Sequence, residues 1–122
     1  MNKKILLIRL TCLLPAVAAG ADFYPDTRAY NLAHGRVVFT EHCLHCHQQG
    51  RKGAPVLDDL NDWLPRLNQP LTELIRRAVQ GHEDMPPKGD LDLSDQEVAA
   101  AVAFVIDHTR NLAVAQLDGL RL

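Results

Sequence analysis

The five residues Cys43-Leu44-His45-Cys46-His47 decide how this chain is interpreted. They place two thiols three positions apart and an imidazole directly after the second thiol, so that all three groups meet at one helix end. The pattern C-x-x-C-H is the attachment sequence of a c-type haem: the thiols add to the two porphyrin vinyl groups, and the imidazole binds the iron. The sequence therefore predicts one covalent haem c, held by Cys43 and Cys46 and ligated by His47.

Three other chemistries use closely spaced cysteines, and they stay open at this point. A thioredoxin-like redox pair needs a βαβ setting, which the pattern of apolar residues does not indicate. A zinc site would have to add His34, His82 or His108, whereas zinc ligands usually come as two separated pairs. A disulfide between Cys43 and Cys46 would close a loop too small to constrain the unfolded chain much.

The first 21 residues have the three parts of a secretory signal. Lys3, Lys4 and Arg9 precede an apolar run over 10–19, and Ala19-Gly20-Ala21 is a small-residue cleavage pattern. The run is shorter than the roughly 20 residues of a spanning helix, although a retained membrane anchor is the alternative. We therefore expect a signal peptide over 1–21, a mature domain over 22–122, and a periplasmic or secreted protein that is membrane-anchored if the signal is retained.

Size and charge restrict the mature domain further. Residues 22–122 keep ten basic and all fifteen acidic residues of the 122-residue chain, a net charge of about −5. Such an acidic domain, with no basic run, is not expected to bind nucleic acid. A domain of this size with few large apolar side chains often needs a cofactor to complete its core.

The apolar spacing predicts an all-α domain of three main helices with loops around one covalent haem. The first helix is expected to begin at Asp26 or Thr27 and run towards Cys46. The second runs from about Pro70 to Gln80 and ends at Gly81. The last begins with a Ser94–Glu97 capping box, and the tail over 111–122 extends it or docks. A short turn around 59–64 is expected to stop at Pro65.

Met85 is the candidate for the second axial ligand of the iron. It follows a helix end, and Pro86-Pro87 fixes the backbone after it. A thioether is a soft, neutral ligand that raises the redox potential. His82 is the rival ligand, and a methionine that only fills the core is the other interpretation.

With these residues established, the chain resembles class I cytochromes c, and within them the small bacterial cytochrome c5 group, over about 31–109. Gly35-x-x-x-Phe39 is similar to the family's first-helix signature, in which the glycine admits the terminal helix and the aromatic ring covers the haem edge. Phe104 looks like the aromatic residue of that terminal helix.

Three further segments resemble parts of the family's haem site. In Gly53-Ala54-Pro55, the resemblance implies that the Pro55 carbonyl accepts a hydrogen bond from the proximal histidine. Trp63-Leu64-Pro65-Arg66 looks like the stretch whose tryptophan and arginine lie near the haem propionates. Met85 lies in a segment similar to the family's methionine loop. The acids Glu83 and Asp84 before it depart from the family's usual small or polar residues.

The function expected from these features is that of an electron carrier and not an enzyme. One haem with both axial positions filled would exchange single electrons with transient redox protein partners, among which a membrane-bound oxidoreductase is possible. Arg51, Lys52 and Lys88 either form a basic docking rim or are simply solvated. The alternatives are a haem subunit of a periplasmic oxidoreductase, or a small haem enzyme with a displaceable axial Met85.

Overall fold

Residues 25–121 are described by the structure, which is a computed structural model. The predicted signal peptide over 1–21 lies outside them. The described chain is helical and contains no β-strand beyond one isolated bridge. Its elements are α1 (Leu32–Val38), a π-helical turn (Phe39–Cys43), α2 (Leu44–His47), α3 (Leu60–Leu67), α4 (Leu71–Gln80) and α5 (Asp95–Leu120), with two 3₁₀ turns at Arg51–Gly53 and Pro87–Asp90. The all-α prediction is confirmed.

The first helix begins later than the sequence suggested. Its N-cap is Asn31, whose side chain accepts a hydrogen bond from the backbone N–H of His34 at 3.0 Å. The prediction of Asp26 or Thr27 as the cap is wrong because both side chains are used elsewhere. Asp26 binds the Arg28 guanidinium, and the buried Thr27 hydroxyl donates to Asp107 on α5 at 3.2 Å.

A π-helical turn joins α1 to α2 without interrupting the helical rod. The backbone N–H of Leu44 bonds to the carbonyl of Phe39, five residues back, instead of the usual four. The rod therefore carries one extra residue at this point. It ends at His47, so the predicted run of the first helix towards Cys46 is confirmed.

A fourth helix, α3, replaces the short turn that was expected around 59–64. Asp59 caps it by accepting from the Asn61 N–H at 2.9 Å, and it continues through Pro65 to Leu67. The expectation that Pro65 stops the helix is wrong. Proline forfeits one backbone hydrogen bond, but Trp63 and Leu67 are 7% and 1% exposed, and their burial keeps the helix together.

The other two helices follow the sequence prediction closely. Helix α4 starts after Pro70, buries Leu71, Leu74 and Ala78 along one face, and ends at Gly81. Helix α5 has the complete capping box of Ser94 and Glu97. The tail over 111–120 extends this helix.

Helix α5 is unusually long and leaves an apolar end uncovered. Val114, Leu117 and Leu120 are 46%, 57% and 84% exposed. Of the helices in residues 25–121, α5 alone is long and apolar enough to cross a membrane, a test that the core helix of a soluble protein also passes. Its first four turns are such a core helix, since Ala103, Val105 and Ile106 are at most 3% exposed.

The crossing of α1 and α5 is the centre of the fold. At Gly35 the two backbones meet so closely that a Cβ there would lie 2.0 Å from the carbonyl oxygen of Ala100. The core spreads from this crossing to α3 and α4 through Val38, Phe39, Trp63, Leu67, Leu71, Leu74, Ala101, Ala103, Val105 and Ile106. At the end of α2, the His47 ring packs against Phe39 of the π-helical turn and Trp63 of α3.

Candidate functional site

The cysteine pair lies where the π-helical turn meets α2. Cys43 is half-buried, Cys46 is exposed, and both thiols are free, so these two residues form no disulfide. Burial, with a smaller contribution from Cys46, raises the pKa of the Cys43 thiol to about 11. Among residues 25–121, no group of three histidine, cysteine or acidic side chains is placed to hold a metal ion.

His47 is oriented by a backbone carbonyl. Its Nδ1 lies 2.9 Å from the oxygen of Pro55, and a carbonyl can only accept, so Nδ1 carries the proton. The Nε2 lone pair is therefore free to bind a metal. Burial lowers the pKa of His47, which favours the neutral imidazole that ligation requires.

The Pro55 carbonyl belongs to residues 54–59, which we call the proximal loop. Trp63 Nε1 donates to the carbonyl of Val56 at 2.7 Å, and the Val56 N–H donates to Asp62 at 2.9 Å. The loop is thereby tied to α3. The position of its carbonyl opposite His47 follows from these bonds.

Two aromatic rings flank the His47 imidazole. Phe39 lies 5.7 Å from it between ring centroids, and Trp63 stacks on it at 6.1 Å with an interplanar angle of 29°. The Arg66 guanidinium carbon lies 5.9 Å from the Trp63 ring centroid, and Arg66 also donates to the carbonyl of Asp62. The structure thus brings Phe39, Trp63 and Arg66 together around His47. Their roles towards a haem stay predictions.

Met85 closes a tight turn after α4. The backbones of His82 and Met85 exchange two hydrogen bonds, of 3.0 Å and 2.9 Å. The turn begins at Gly81, whose φ of +86° and ψ of 153° suit glycine almost exclusively. The half-buried Met85 lines a cavity of about 520 Å³, as do His82 and Lys52. Both candidate second ligands therefore line one open surface pocket, whose lining does not include Cys43, Cys46 or His47.

The donor groups fit a c-type haem. Two free thiols stand at one end of α2, beside an imidazole with an available Nε2, and a thioether lines a cavity in the loop after α4. Cys43, Cys46 and His47 would hold the group from one side, with Met85 as the predicted second ligand. A haem c there would supply a one-electron Fe(III)/Fe(II) couple.

Several polar residues make contacts that the sequence pattern does not indicate. Asp58 lies 2.9 Å from His108 Nε2 on α5. Lys88 is not a free member of a basic rim, since its ammonium group binds Asp95 at 2.7 Å. Arg51 contacts His45. His108 is fifty residues from Asp58, and the other two pairs each join a residue of a 3₁₀ turn to a neighbouring helix, so helical spacing indicates none of them.

Comparison with known proteins points to the same group of proteins. A family model described as cytochrome c oxidase, cbb3-type, subunit III matches residues 31–105. The chain is 36% identical over 91 residues to cytochrome c-555 of Prosthecochloris aestuarii, covering 67% of this chain and 92% of that protein. It is 35% identical over 68 residues to cytochrome c5 of Ectopseudomonas mendocina, covering 53% and 78% respectively.

A solved structure shares the fold. It is a chain from the crystal structure of an electron transfer complex of nitrite reductase with cytochrome c. The TM-score is 0.60 at 32% sequence identity, and the match covers 63% of this chain and 95% of that chain. The shared fold therefore takes in most of this chain and nearly all of that one.

Proposed function

The chain belongs to the cytochrome c family, as a small class I member that resembles cytochrome c5, and on that premise we propose that it carries single electrons between exported or membrane-bound redox partners. The family binds haem c covalently, and this chain is a mono-haem electron carrier of that kind. In our proposal Cys43 and Cys46 hold the haem, and His47 and Met85 are its axial ligands.

The proposal is supported mainly by the hydrogen bond that orients the His47 imidazole. Its Nδ1 proton is bound to the Pro55 carbonyl, which leaves Nε2 as the free donor immediately after the thiol pair. Such a hydrogen bond fixes the ring and raises the basicity of the ligating nitrogen. A ligand held in this way need not rearrange when one electron is added or removed, which suits a carrier.

The proposed partners dock transiently beside the exposed part of the motif. Cys46 and His45 are both exposed, so the edge of the haem bound there would be open to another protein. The similarity to a cytochrome c in complex with nitrite reductase supports a redox enzyme as one kind of partner. The signal-like residues 1–21 support export, with 22–122 as the mature domain.

Methionine ligation is tested by substituting Met85→Ala in the holoprotein, with His82→Ala as the matched control. Met85→Ala should open the iron to carbon monoxide and imidazole and lower the midpoint potential, because a soft ligand that favours ferrous iron is lost. His82→Ala should behave as the unchanged protein does. Optical spectra of both redox states, with and without carbon monoxide, provide the measurement.

Two outcomes would contradict the proposal. If the unchanged protein already bound carbon monoxide readily, an open coordination site and hence a haem enzyme would be favoured over a carrier. If only His82→Ala opened the iron, His82 and not Met85 would be the ligand.

A second candidate is a haem subunit fixed to a membrane oxidoreductase. It is favoured by the description of the matching family model, an oxidase subunit, and by the exposed apolar end of α5 at Val114, Leu117 and Leu120. Fractionation separates the two candidates. A carrier is recovered free in the periplasmic fraction, whereas a fixed subunit copurifies with a membrane complex.

A further inference from the structure

The proximal loop is held at three places, one of which involves a residue far along the chain. The Leu57 N–H donates to the backbone carbonyl of His47 at 2.9 Å, which ties the loop directly to α2. The bonds of Trp63 and Asp62 to Val56 join the loop to α3, which follows it directly. Asp58 Oδ1, in the same loop, lies 2.9 Å from Nε2 of His108, fifty residues later on α5. A carboxylate accepts, so the imidazole donates.

His108 is also connected to His47 through packed rings. Its ring centroid lies 5.9 Å from that of Phe104, and the Phe104 centroid lies 5.9 Å from that of Phe39. Phe39 in turn lies 5.7 Å from the His47 ring. The rings fix where the His108 imidazole lies relative to His47.

The two connections together form a closed circuit. One side runs from His47 through the Pro55 carbonyl and along the proximal loop to Asp58 and His108. The other returns through the aromatic rings to His47. Asp58 is only three residues along the loop from Pro55, whose carbonyl orients the His47 imidazole. Breaking the Asp58–His108 bond can therefore shift that carbonyl.

We propose that His108 is a positioning residue for the axial histidine, acting through Asp58 to hold the Pro55 carbonyl against Nδ1 of His47. This rests on the proposed function, in which His47 binds the haem iron. The side chains of His108 and Asp58 are 33% and 76% exposed, so the effect is modest. Exposed pairs of this kind contribute about 0.2–1 kcal/mol, which corresponds to a change of up to about fivefold in an opening equilibrium.

The experiment measures the exchange rate of the His47 Nδ1 proton by NMR in the reduced holoprotein. His108→Phe keeps the ring packing against Phe104 but removes the donor, and Asp58→Ala removes the acceptor. Each should accelerate exchange about twofold to fivefold. The midpoint potential should rise in both variants, because a weaker Nδ1 hydrogen bond makes His47 a less basic ligand.

Three control variants distinguish a positioning role of His108 from a general loosening of the protein. His108→Gln retains an amide donor and should restore most of the protection of the Nδ1 proton. The double variant of His108→Phe with Asp58→Ala should match either single variant, because both remove the same bond. His34→Phe, on α1 and outside the circuit, should change neither exchange nor potential.

The proposal is overturned if His108→Phe and Asp58→Ala leave both the exchange rate and the potential unchanged. It is also overturned if their effects add in the double variant. The optical spectrum of the unsubstituted holoprotein distinguishes a failure of this proposal about His108 from a failure of the proposed function. An attached haem with a histidine ligand leaves the proposed function standing, and its absence removes both.

Discussion

The substitution Gly35→Ala tests the crossing on which the fold depends. A Cβ at Gly35 would lie 2.0 Å from the carbonyl oxygen of Ala100 and 2.5 Å from its carbon, whereas ordinary contact begins at 3.4 Å. Helices α1 and α5 would have to move apart by about 1.4 Å, the difference between these distances to the oxygen. The obstacle is backbone within a helix of 26 residues, so it cannot rotate away as a side chain could.

The cost follows from these distances. Overpacking usually destabilises by about 1–3 kcal/mol and sometimes by more. Alanine gains about 1 kcal/mol over glycine within a helix, but separating two core helices outweighs this. We expect the free energy of unfolding to fall by about 3 kcal/mol. For a domain of this size the melting temperature would then fall by roughly 12–24 °C.

Denaturant unfolding of the holoprotein, followed by far-UV circular dichroism, measures this change. Gly119→Ala is the matched control, because nothing lies within 4 Å of a Cβ at that position in the last turn of α5. The control should leave stability unchanged or raise it by up to about 1 kcal/mol. A Gly35→Ala variant as stable as the Gly119→Ala variant would refute the close crossing of the backbones.

Two further substitutions test the charge network on α4 and the turn that carries Met85. Hydrogen bonds from Arg76 and Arg77 lower the pKa of Glu73 to about 2, so its stabilising contribution is complete above about pH 4.5 and is lost as the pH falls towards 2. Glu73→Gln should therefore lower the melting temperature at pH 6 but not at pH 2, and an equal difference at both pH values would contradict this origin. Gly81→Ala should destabilise by about 1–3 kcal/mol, because the φ of +86° suits glycine. The same change should ease carbon monoxide binding by loosening Met85, and a variant with unaltered stability and spectra would show that the turn tolerates a side chain.

The parts of the fold that local signals specify were predictable. The Ser94–Glu97 capping box fixes the start of α5 with two reciprocal hydrogen bonds. Pro70, an apolar face and Gly81 define α4 in the same local way. The cysteine motif predicted the covalent haem c that membership of the cytochrome c family implies, and the roles of Cys43, Cys46 and His47 in holding it stay predictions.

The parts that depend on distant partners were not predictable. Asp26 and Thr27 are good capping residues in isolation. The buried Thr27 is removed from that role by its hydrogen bond to Asp107, eighty residues later. Pro65 would end a solvent-exposed helix, but the burial of Trp63 overrides this preference. The bond of Asp58 to His108 likewise joins two residues with no pattern in common.

The π-helical turn between α1 and α2 has a consequence for how this protein can change in evolution. Each residue of an α-helix rotates the chain by about 100°. The π-helical turn over 39–43 absorbs one extra residue, so deleting one residue there would restore regular α-helical bonding and leave the thiol pair facing nearly the same way relative to Gly35. Loss of a single residue should therefore be tolerated within 39–43, whereas a deletion in the regular turns of α1 would swing the thiol pair by about 100° and should be rare among functional descendants.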